Sequence, residues 1–247
     1  VGCGVNSPEP ITVFAASSLT DAFEEMAQAF ETEHGEIDVL LNFAGSSQLA
    51  VQRREGASAD LFASAHEAQF EAVVAEGLVA SEGPVVFATN RLTIVTSLEN
   101  EGEINQLEDL SRPGIDLILA LEGVPIRTYT NDIVSRLPAA TQRAFYANLV
   151  SEEDNVRRVA AKVALGEADA GIVYISDLTP DLRNQLNQVE IPESQNALAT
   201  YPIGRLANAP QPEAADAFID FVLSPAGQEI LARSGFGPAE GSDGVTE

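Results

Sequence analysis

The fold is set by the segment Ile11-Thr-Val-Phe-Ala-Ala-Ser-Ser-Leu-Thr-Asp-Ala-Phe-Glu-Glu-Met26. Residues 11–16 are apolar and partly β-branched, which is typical of a short buried strand in a parallel sheet. From Leu19 the apolar residues recur with helical spacing, so a helix is predicted directly after the strand. We expect Ser18, followed three residues later by Asp21, to cap this helix with its side chain. The junction would then direct free backbone N–H groups and serine hydroxyls at one point, as an anion-binding site requires.

Composition and charge narrow the class of protein. The chain has 247 residues, 45% of them hydrophobic, and its 38 acidic and 13 basic residues give a formal net charge of −25. It is long enough to bury a sizeable core, and no apolar run approaches the ~20 residues that span a bilayer. Such an acidic surface repels nucleic acid and anionic lipid, which excludes both as expected partners.

The N-terminal residues 1–10 are predicted to form a tether. The single cysteine, Cys3, lies in Val1-Gly-Cys-Gly4 and is followed by a polar segment with two prolines. One cysteine excludes an internal disulfide. A small residue before the cysteine and a flexible segment after it resemble the end of a bacterial lipoprotein signal, so we predict a lipid anchor on Cys3. The alternative is a frayed terminus with an incidental thiol.

Strand and helix patterns alternate along most of the chain, which predicts an α/β fold with parallel sheets. Two extended segments, near 84–97 and 197–205, bracket the middle third and are predicted to connect two lobes. A cleft between such lobes is the expected ligand site. The predicted division is lobe I at 11–86 plus 205–238, lobe II at 87–204, and a flexible tail at 239–247.

Some local predictions concern the bounds of single elements. The first crossing is predicted as two extended runs, which the polar residues Thr89-Asn-Arg91 separate. A helix is predicted over Glu67–Ala80. An amphipathic helix is predicted over Asp154–Leu165, with Arg157 on or near its solvent side.

Four short motifs share one feature: the chain leaves a strand or loop and begins a helix, whose first N–H groups have no partner. Tyr174, at the end of a predicted strand, adds a phenolic hydroxyl. Donors from several helix starts that converge in a cleft would bind a tetrahedral oxyanion without a buried lysine or arginine. Each motif alone is more simply a helix cap, a turn or a packing tyrosine. The motifs are Ser17-Ser18, Gly45-Ser46-Ser47, Val124-Pro125-Ile126 and Asp154-Asn155-Val156.

The order and spacing of the motifs resemble the molybdate-binding proteins of ABC importers, the ModA family of extracytoplasmic solute-binding proteins. The likeness covers roughly residues 11–237. It implies a type II periplasmic-binding-protein fold whose two lobes close on the ligand. The segments that carry it are Val13-Phe-Ala-Ala-Ser-Ser-Leu-Thr20, Asn42-Phe-Ala-Gly-Ser-Ser-Gln-Leu49, Gly56-Ala-Ser-Ala-Asp-Leu-Phe-Ala-Ser-Ala65, Gly171-Ile-Val-Tyr-Ile-Ser-Asp177 and Phe221-Val-Leu-Ser-Pro-Ala-Gly-Gln228.

The resemblance also implies a function and a site. The protein is expected to capture molybdate or tungstate on the outer face of the cytoplasmic membrane and to deliver it to an ABC permease. It would act as a monomer, without cofactor, catalytic step or direct protein–metal bond. The implied contacts are Ser18 and Ser46 by hydroxyl and N–H, Ile126 and Val156 by N–H, and Tyr174 by hydroxyl, with Ser17, Gly45 and Asn155 flanking them.

The chain departs from the family pattern at two positions. Arg127 stands where the family commonly has glycine, in Val-Pro-x-Gly-x-Tyr. We expect its side chain on the exposed first turn of a helix, with its stem along the surface. The alternative is an added cation at the pocket that changes the preferred anion. His66, where the family often has aspartate, is expected at the surface.

The predicted donors favour an anion that carries no proton. Molybdate and tungstate are unprotonated near neutral pH, whereas hydrogen phosphate needs an acceptor, and none of the five implied contact positions is acidic. A binding protein for another tetrahedral oxyanion, sulfate or phosphate-like, is the alternative.

Two other classes of protein fit less well. A serine hydrolase using Ser17, Ser18 or Ser46 lacks a Gly-x-Ser-x-Gly elbow, and its only candidate bases, His34 and His66, have no convincing third partner. The effector-sensing domain of a transcription regulator would need a DNA-binding segment, which this acidic chain lacks. We therefore predict a binding protein and no enzyme.

Overall fold

The computed structural model describes residues 10–239. The tether up to Glu9, including Cys3, and the predicted tail from Glu240 onward lie outside the described residues. Strands and helices alternate as expected, which confirms the α/β class. The strands are β1 Ile11–Ala16, β2 Val39–Ala44, β3 Leu61–Ala63, β4 Val85–Ser97, β5 Leu117–Ala120, β6 Leu149–Glu153, β7 Ala170–Tyr174, β8 Leu186–Glu190 and β9 Leu198–Arg205. The helices are α1 Thr20–Glu33, α2 Ser46–Arg54, α3 Glu67–Ala75, α4 Pro125–Ser135, α5 Ala139–Ala147, α6 Val156–Ala164, α7 Pro180–Arg183, α8 Pro212–Leu223 and α9 Pro225–Arg233.

Two groups of strands form the two lobes of the fold. The strand order is β2-β1-β3-β9-β4-β7-β5-β6, with β8 paired to β4. In the first lobe, β1 runs parallel to both β2 and β3; in the second, β5 runs parallel to both β6 and β7. The long antiparallel pair of β4 and β9 joins the groups. The two-lobe architecture is confirmed, whereas the boundaries at 86/87 and 204/205 stay a prediction.

The first lobe closes around an aromatic core. Helix α1 buries Phe23 and Phe30, and the ring of Phe30 lies 5.2 Å from that of Phe218 on α8. Because α8 and α9 come from the end of the chain, the C-terminal helices complete the lobe that begins at β1. The contact fixes α1, and with it the junction between β1 and α1, on the first lobe.

Strand β4 is continuous, so the predicted break at Thr89-Asn-Arg91 is wrong. These three residues pair in register with Thr200, Ala199 and Leu198 of β9. Their polar side chains suggested a turn, but their backbone pairs with β9, and the buried side chain of Asn90 donates a hydrogen bond to Ser176 Oγ (2.8 Å). The chain therefore passes between the lobes without a loop.

Other bounds differ for local reasons. Helix α3 ends at Ala75 instead of Ala80, because Gly77 adopts a φ of +69° that stops the helix. Helix α5 and the strands β6 and β8 have no counterpart in the sequence-based prediction. Both strands lie at the edge of the second lobe and contain exposed residues between buried or half-buried ones. Their sequences are therefore less apolar than those of the central strands.

Candidate functional site

A small cavity lies between the lobes, where four helix starts meet. About 210 Å³ of space between its walls is free of protein atoms. The first lobe contributes Ala16, Ser17, Ser18, Gly45, Ser46 and Ala65 to its wall, and the second lobe Val124, Pro125, Ile126, Val156 and Tyr174.

None of these lining residues carries a charge. The five residues that the resemblance implied as ligand contacts all lie in this wall, together with Ser17 and Gly45. The structure thus brings together residues that are more than 150 positions apart in the chain. That they bind a ligand stays a prediction. Ala65 is a lining residue that the sequence analysis missed; it lies two residues after the end of β3 and has no polar side chain to mark it.

The first helix start differs from the prediction. Ser17–Leu19 forms a short 3₁₀ turn before α1, and no side chain caps the helix. The predicted cap by Ser18 is therefore wrong. Its Oγ instead lies 3.1 Å from the hydroxyl of Tyr201 on β9, and both residues are buried. Because the inserted turn moves Ser18 off the helix end, its hydroxyl remains available at the cavity.

The second helix start supplies a hydroxyl with a defined direction. Ser46 is the first residue of α2, and its Oγ accepts a hydrogen bond from the backbone N–H of Ala65 (3.0 Å). A serine hydroxyl has one proton and two acceptor positions. Since Oγ already accepts, its own proton is free to be donated into the cavity.

The flanking Gly45 marks a close approach of the two lobes. A Cβ atom at this position would lie 2.8 Å from the backbone oxygen of Asp154 in the second lobe. That distance is shorter than a normal contact. A residue without a side chain is therefore needed where α2 meets the loop before α6.

The two helix starts of the second lobe present backbone donors. Pro125 occupies the first position of α4, where no donor is lost, and Ile126 follows it. Val156 is the first residue of α6. Asn155 does not line the cavity; its Oδ1 caps α6 by accepting from the N–H of Arg158 (3.1 Å). The first N–H groups of both helices have no partner within their own helix.

Tyr174 is the most unusual group in the wall. Its side chain is fully buried, yet its hydroxyl makes no hydrogen bond among the described residues. Burial, aided by the neighbouring Tyr201 and Tyr129, raises its pKa well above the ordinary value, so it stays protonated. An unsatisfied buried hydroxyl costs about 1–3 kcal/mol. A ligand oxygen in the cavity would remove that cost.

Arg127 is buried, so the expectation of an exposed side chain is wrong. Its guanidinium donates to the backbone oxygen of Ala120 (2.9 Å) and pairs with Glu152 (2.7 Å) and Glu122 (2.9 Å). It also lies over the ring of Tyr146, 5.6 Å from the centroid. The residue does not line the cavity. With its donors engaged by carboxylates behind α4, Arg127 supplies no cation to the wall.

Arg157 connects the lobes beside the cavity, a role that its helical position did not reveal. Its Nε donates to the backbone oxygen of Ser17 (3.2 Å), and its guanidinium pairs with Asp21 on α1. Nε also lies 3.8 Å from Asp177, a fully buried carboxyl. Burial raises the pKa of Asp177 to about 7, although Arg157 and the N–H of Tyr174 act against this.

Both histidines make structural contacts outside the cavity wall. His66 is half-buried, in contrast to the prediction; its Nδ1 accepts from the N–H of Ala68 (3.0 Å) and caps α3. Its ring lies 4.8 Å from that of Tyr129, and burial lowers its pKa. His34 stacks on Phe30, 4.2 Å between ring centroids. Both contacts are structural, so neither histidine is placed as a catalytic base.

Comparison with known proteins agrees with the resemblance. Residues 11–237 match a family described as bacterial extracellular solute-binding protein. The chain belongs to this family. It is 38% identical over 247 residues to the molybdate-binding protein ModA of Mycobacterium tuberculosis, covering 96% of this chain and 92% of the relative. The resemblance to the ModA proteins is thereby confirmed.

Two solved structures show the same solute-binding fold. The periplasmic molybdate-binding protein of Azotobacter vinelandii superposes with a TM-score of 0.82 at 18% identity, covering 93% of this chain and all of its own. The sulfate-binding protein SubI of M. tuberculosis superposes with a TM-score of 0.85 at 19% identity, covering 95% and 88%. Because these two proteins are named for different oxyanions, the fold alone does not select the anion.

Proposed function

We propose that this solute-binding protein captures molybdate or tungstate and delivers it to the permease of an ABC importer. The observation that carries the proposal is the cavity itself: a wall of uncharged donors, among them a buried tyrosine hydroxyl without a partner. The 38% identity to a ModA protein over nearly the whole chain supports the same ligand.

The donor set suits an unprotonated dianion. A desolvated dianion must meet donors on each oxygen, or the cost of removing it from water prevails. Four residues with hydroxyls, Ser17, Ser18, Ser46 and Tyr174, and the residues at four helix starts line one small space. Helix starts also carry a partial positive charge that favours anions. The protein's net charge of −25 acts at longer range and is screened over about 8 Å at physiological salt.

Membership of the family supports a location outside the cytoplasm and a transporter as the partner. Within residues 10–239, no helix is both long and apolar enough to cross a membrane. A lipid anchor on Cys3 would hold the protein at the membrane, where the permease lies. We propose that it works there as a monomer and binds and releases its ligand without a catalytic step.

Calorimetry of the purified chain with molybdate, tungstate, sulfate and hydrogen phosphate tests the proposal. We expect binding of the first two and weak or no binding of hydrogen phosphate, because it brings a proton and no lining residue supplies a carboxylate to accept it. A ligand at a hundred times its Kd should stabilise the protein by about 2.7 kcal/mol, so thermal melting gives an independent reading. Absence of both heat and thermal shift with molybdate and tungstate would end the proposal, and sulfate binding alone would favour the alternative anion.

A further inference from the structure

Tyr201 lies outside the cavity wall but contacts Ser18, one of the residues that line it. Tyr201 lies on β9, one of the two strands that join the lobes, and is fully buried. Its hydroxyl is 3.1 Å from Ser18 Oγ, and either atom could be the donor in this bond. The direction of the bond decides whether Ser18 offers the cavity a proton or a lone pair.

We propose that Tyr201 is a positioning residue, which donates its proton to Ser18 Oγ and thereby fixes the Ser18 hydroxyl as a donor toward the bound anion. The inference rests on the proposed function, because it takes an oxyanion as the occupant of the cavity. It goes beyond that function by naming one of the groups that make the site reject protonated anions.

Proton counting supports this direction. Ser18 has one proton, and if it donated that proton to Tyr201, its lone pairs would face the ligand oxygens and repel them. The phenol proton would then need another acceptor, and Ser18 is the hydrogen-bond partner found for it in the described chain. Both polar groups of the nearby Asn90 have other partners, because its amide nitrogen donates to Ser176 Oγ (2.8 Å) and its Oδ1 accepts from the N–H of Arg91 (2.9 Å). The chain of bonds therefore runs from Tyr201 through Ser18 to the ligand.

The other hydroxyls are fixed in the same sense. Ser46 Oγ accepts from Ala65, and Tyr174, whose hydroxyl has no acceptor in the described residues, is left to donate. With Ser18 also fixed, the hydroxyls of Ser18, Ser46 and Tyr174 all donate toward the ligand. The O–H proton of hydrogen phosphate or hydrogen arsenate would face the hydrogen of one of these donors, where it needs an acceptor. Tyr201 is then one of the groups that set the preference for molybdate over protonated anions.

A double-mutant cycle between Tyr201→Phe and Ser18→Ala tests the inference. Tyr201→Phe removes one oxygen, and the surrounding rings of Phe87, Tyr174 and Phe236 keep the side chain in place. We expect the molybdate Kd to rise up to about tenfold in the wild-type background, the upper end of what one hydrogen bond between neutral groups contributes. In the Ser18→Ala background, Tyr201→Phe should have little further effect, because its target is gone. Hydrogen phosphate and hydrogen arsenate, assayed by competition, should lose less affinity than molybdate or gain some.

Tyr146→Phe is the matched control, since the Tyr146 hydroxyl donates to Asn131 Oδ1 (2.7 Å) away from the cavity. It should leave the molybdate Kd unchanged. An unchanged Kd for Tyr201→Phe, or an equal rise with and without the Ser18 hydroxyl, overturns the inference. If Tyr201→Phe does not fold, NMR of the Tyr201 hydroxyl proton in the wild-type molybdate complex decides: Ser18→Ala should shift it, and an unshifted proton overturns the inference. Failure of the wild-type chain to bind molybdate or tungstate instead counts against the proposed function.

Discussion

Two consecutive residues of α4 show how this acidic protein distributes its charge. Ile126 presents an uncharged backbone N–H to the cavity, whereas Arg127 extends behind the helix to Glu122 and Glu152. The cavity wall and the buried cation are thus one residue apart in the chain and do not meet. The protein's own carboxylates satisfy this buried arginine, so in the proposed function the ligand would meet neutral donors.

The difference has a physical reason. A guanidinium in the cavity wall would remain as an unpaired buried charge whenever the ligand left, and such a charge is costly. Backbone N–H groups and hydroxyls carry a smaller cost when the site is empty and can be met by water. Neutral donors therefore suit a protein that must both bind and release its ligand.

Arg127→Met is expected to have the largest effect, and it tests whether the buried arginine serves the fold and not the cavity. The change keeps the apolar stem but removes the partners of two carboxylates and of the Ala120 oxygen. We expect the free energy of unfolding to fall by about 2–3 kcal/mol, because hydrogen bonds to a charged group are lost. Urea unfolding measures this, and calorimetry should show the molybdate affinity of the folded variant almost unchanged. A large loss of affinity with little loss of stability would show that the guanidinium serves the ligand instead.

Ser46→Ala and Ser18→Ala test whether the uncharged cavity wall binds the ligand. Each should weaken molybdate binding by about 1–3 kcal/mol, the cost of leaving a charged ligand oxygen without a donor. Their effect on the free energy of unfolding should be smaller. Calorimetry gives the affinities, with Ser47→Ala, a neighbouring serine that does not line the cavity, as the matched control. Unchanged affinity in both variants would place the ligand elsewhere.

Gly45→Ala should act through the fit of the lobes. The backbone of Gly45 has φ −60° and ψ 138°, which alanine adopts freely, so the only conflict is the added Cβ against the oxygen of Asp154. We expect molybdate affinity to fall by about 1–2 kcal/mol, as for other overpacked contacts. Gly35→Ala, where no atom lies within 4 Å of the added Cβ, is the control. Equal effects of the two changes on affinity would argue against a steric role.

The smallest effect is expected from the pH dependence that Asp177 contributes. Its pKa is about 7 in the folded protein against an ordinary value of 3.8, so folding takes up a proton between these values. The contribution of this group to the free energy of unfolding should therefore fall as pH rises from about 4 to about 7 and stay level above. Urea midpoints of the wild type and Asp177→Asn, compared across this range, isolate the group. A difference that stays constant, or that favours the wild type with rising pH, would mean that Arg157 keeps the carboxyl ionised.

Sequence reasoning found those parts of the site that have a local signal. The helix starts at Ser46, Pro125 and Val156 follow from strand-to-helix transitions, and the order of the motifs identified the family. Tyr174 was found because it ends a buried strand within a family motif. These features depend on residues that are close in the chain.

The errors at β4, Arg127 and Arg157 arose where a distant segment decides the local structure. The residues at Thr89-Asn-Arg91 look like a turn until β9 pairs with them. Arg127 looks exposed until Glu152, 25 positions later, reaches its guanidinium. Arg157 looks solvated until Asp21 and Ser17, more than 130 positions earlier, come beside it.

The sequence by itself determined the α/β class, the two lobes, the family and the residue types that begin each helix, because strand and helix periods and capping positions are properties of short segments. Only the tertiary structure decided the direction of each side chain: Ser18 toward Tyr201, Arg127 away from the cavity, and Arg157 across to α1. Side-chain direction depends on which partner lies within hydrogen-bonding distance in space. That partner is chosen when the lobes pack, and no local pattern records it.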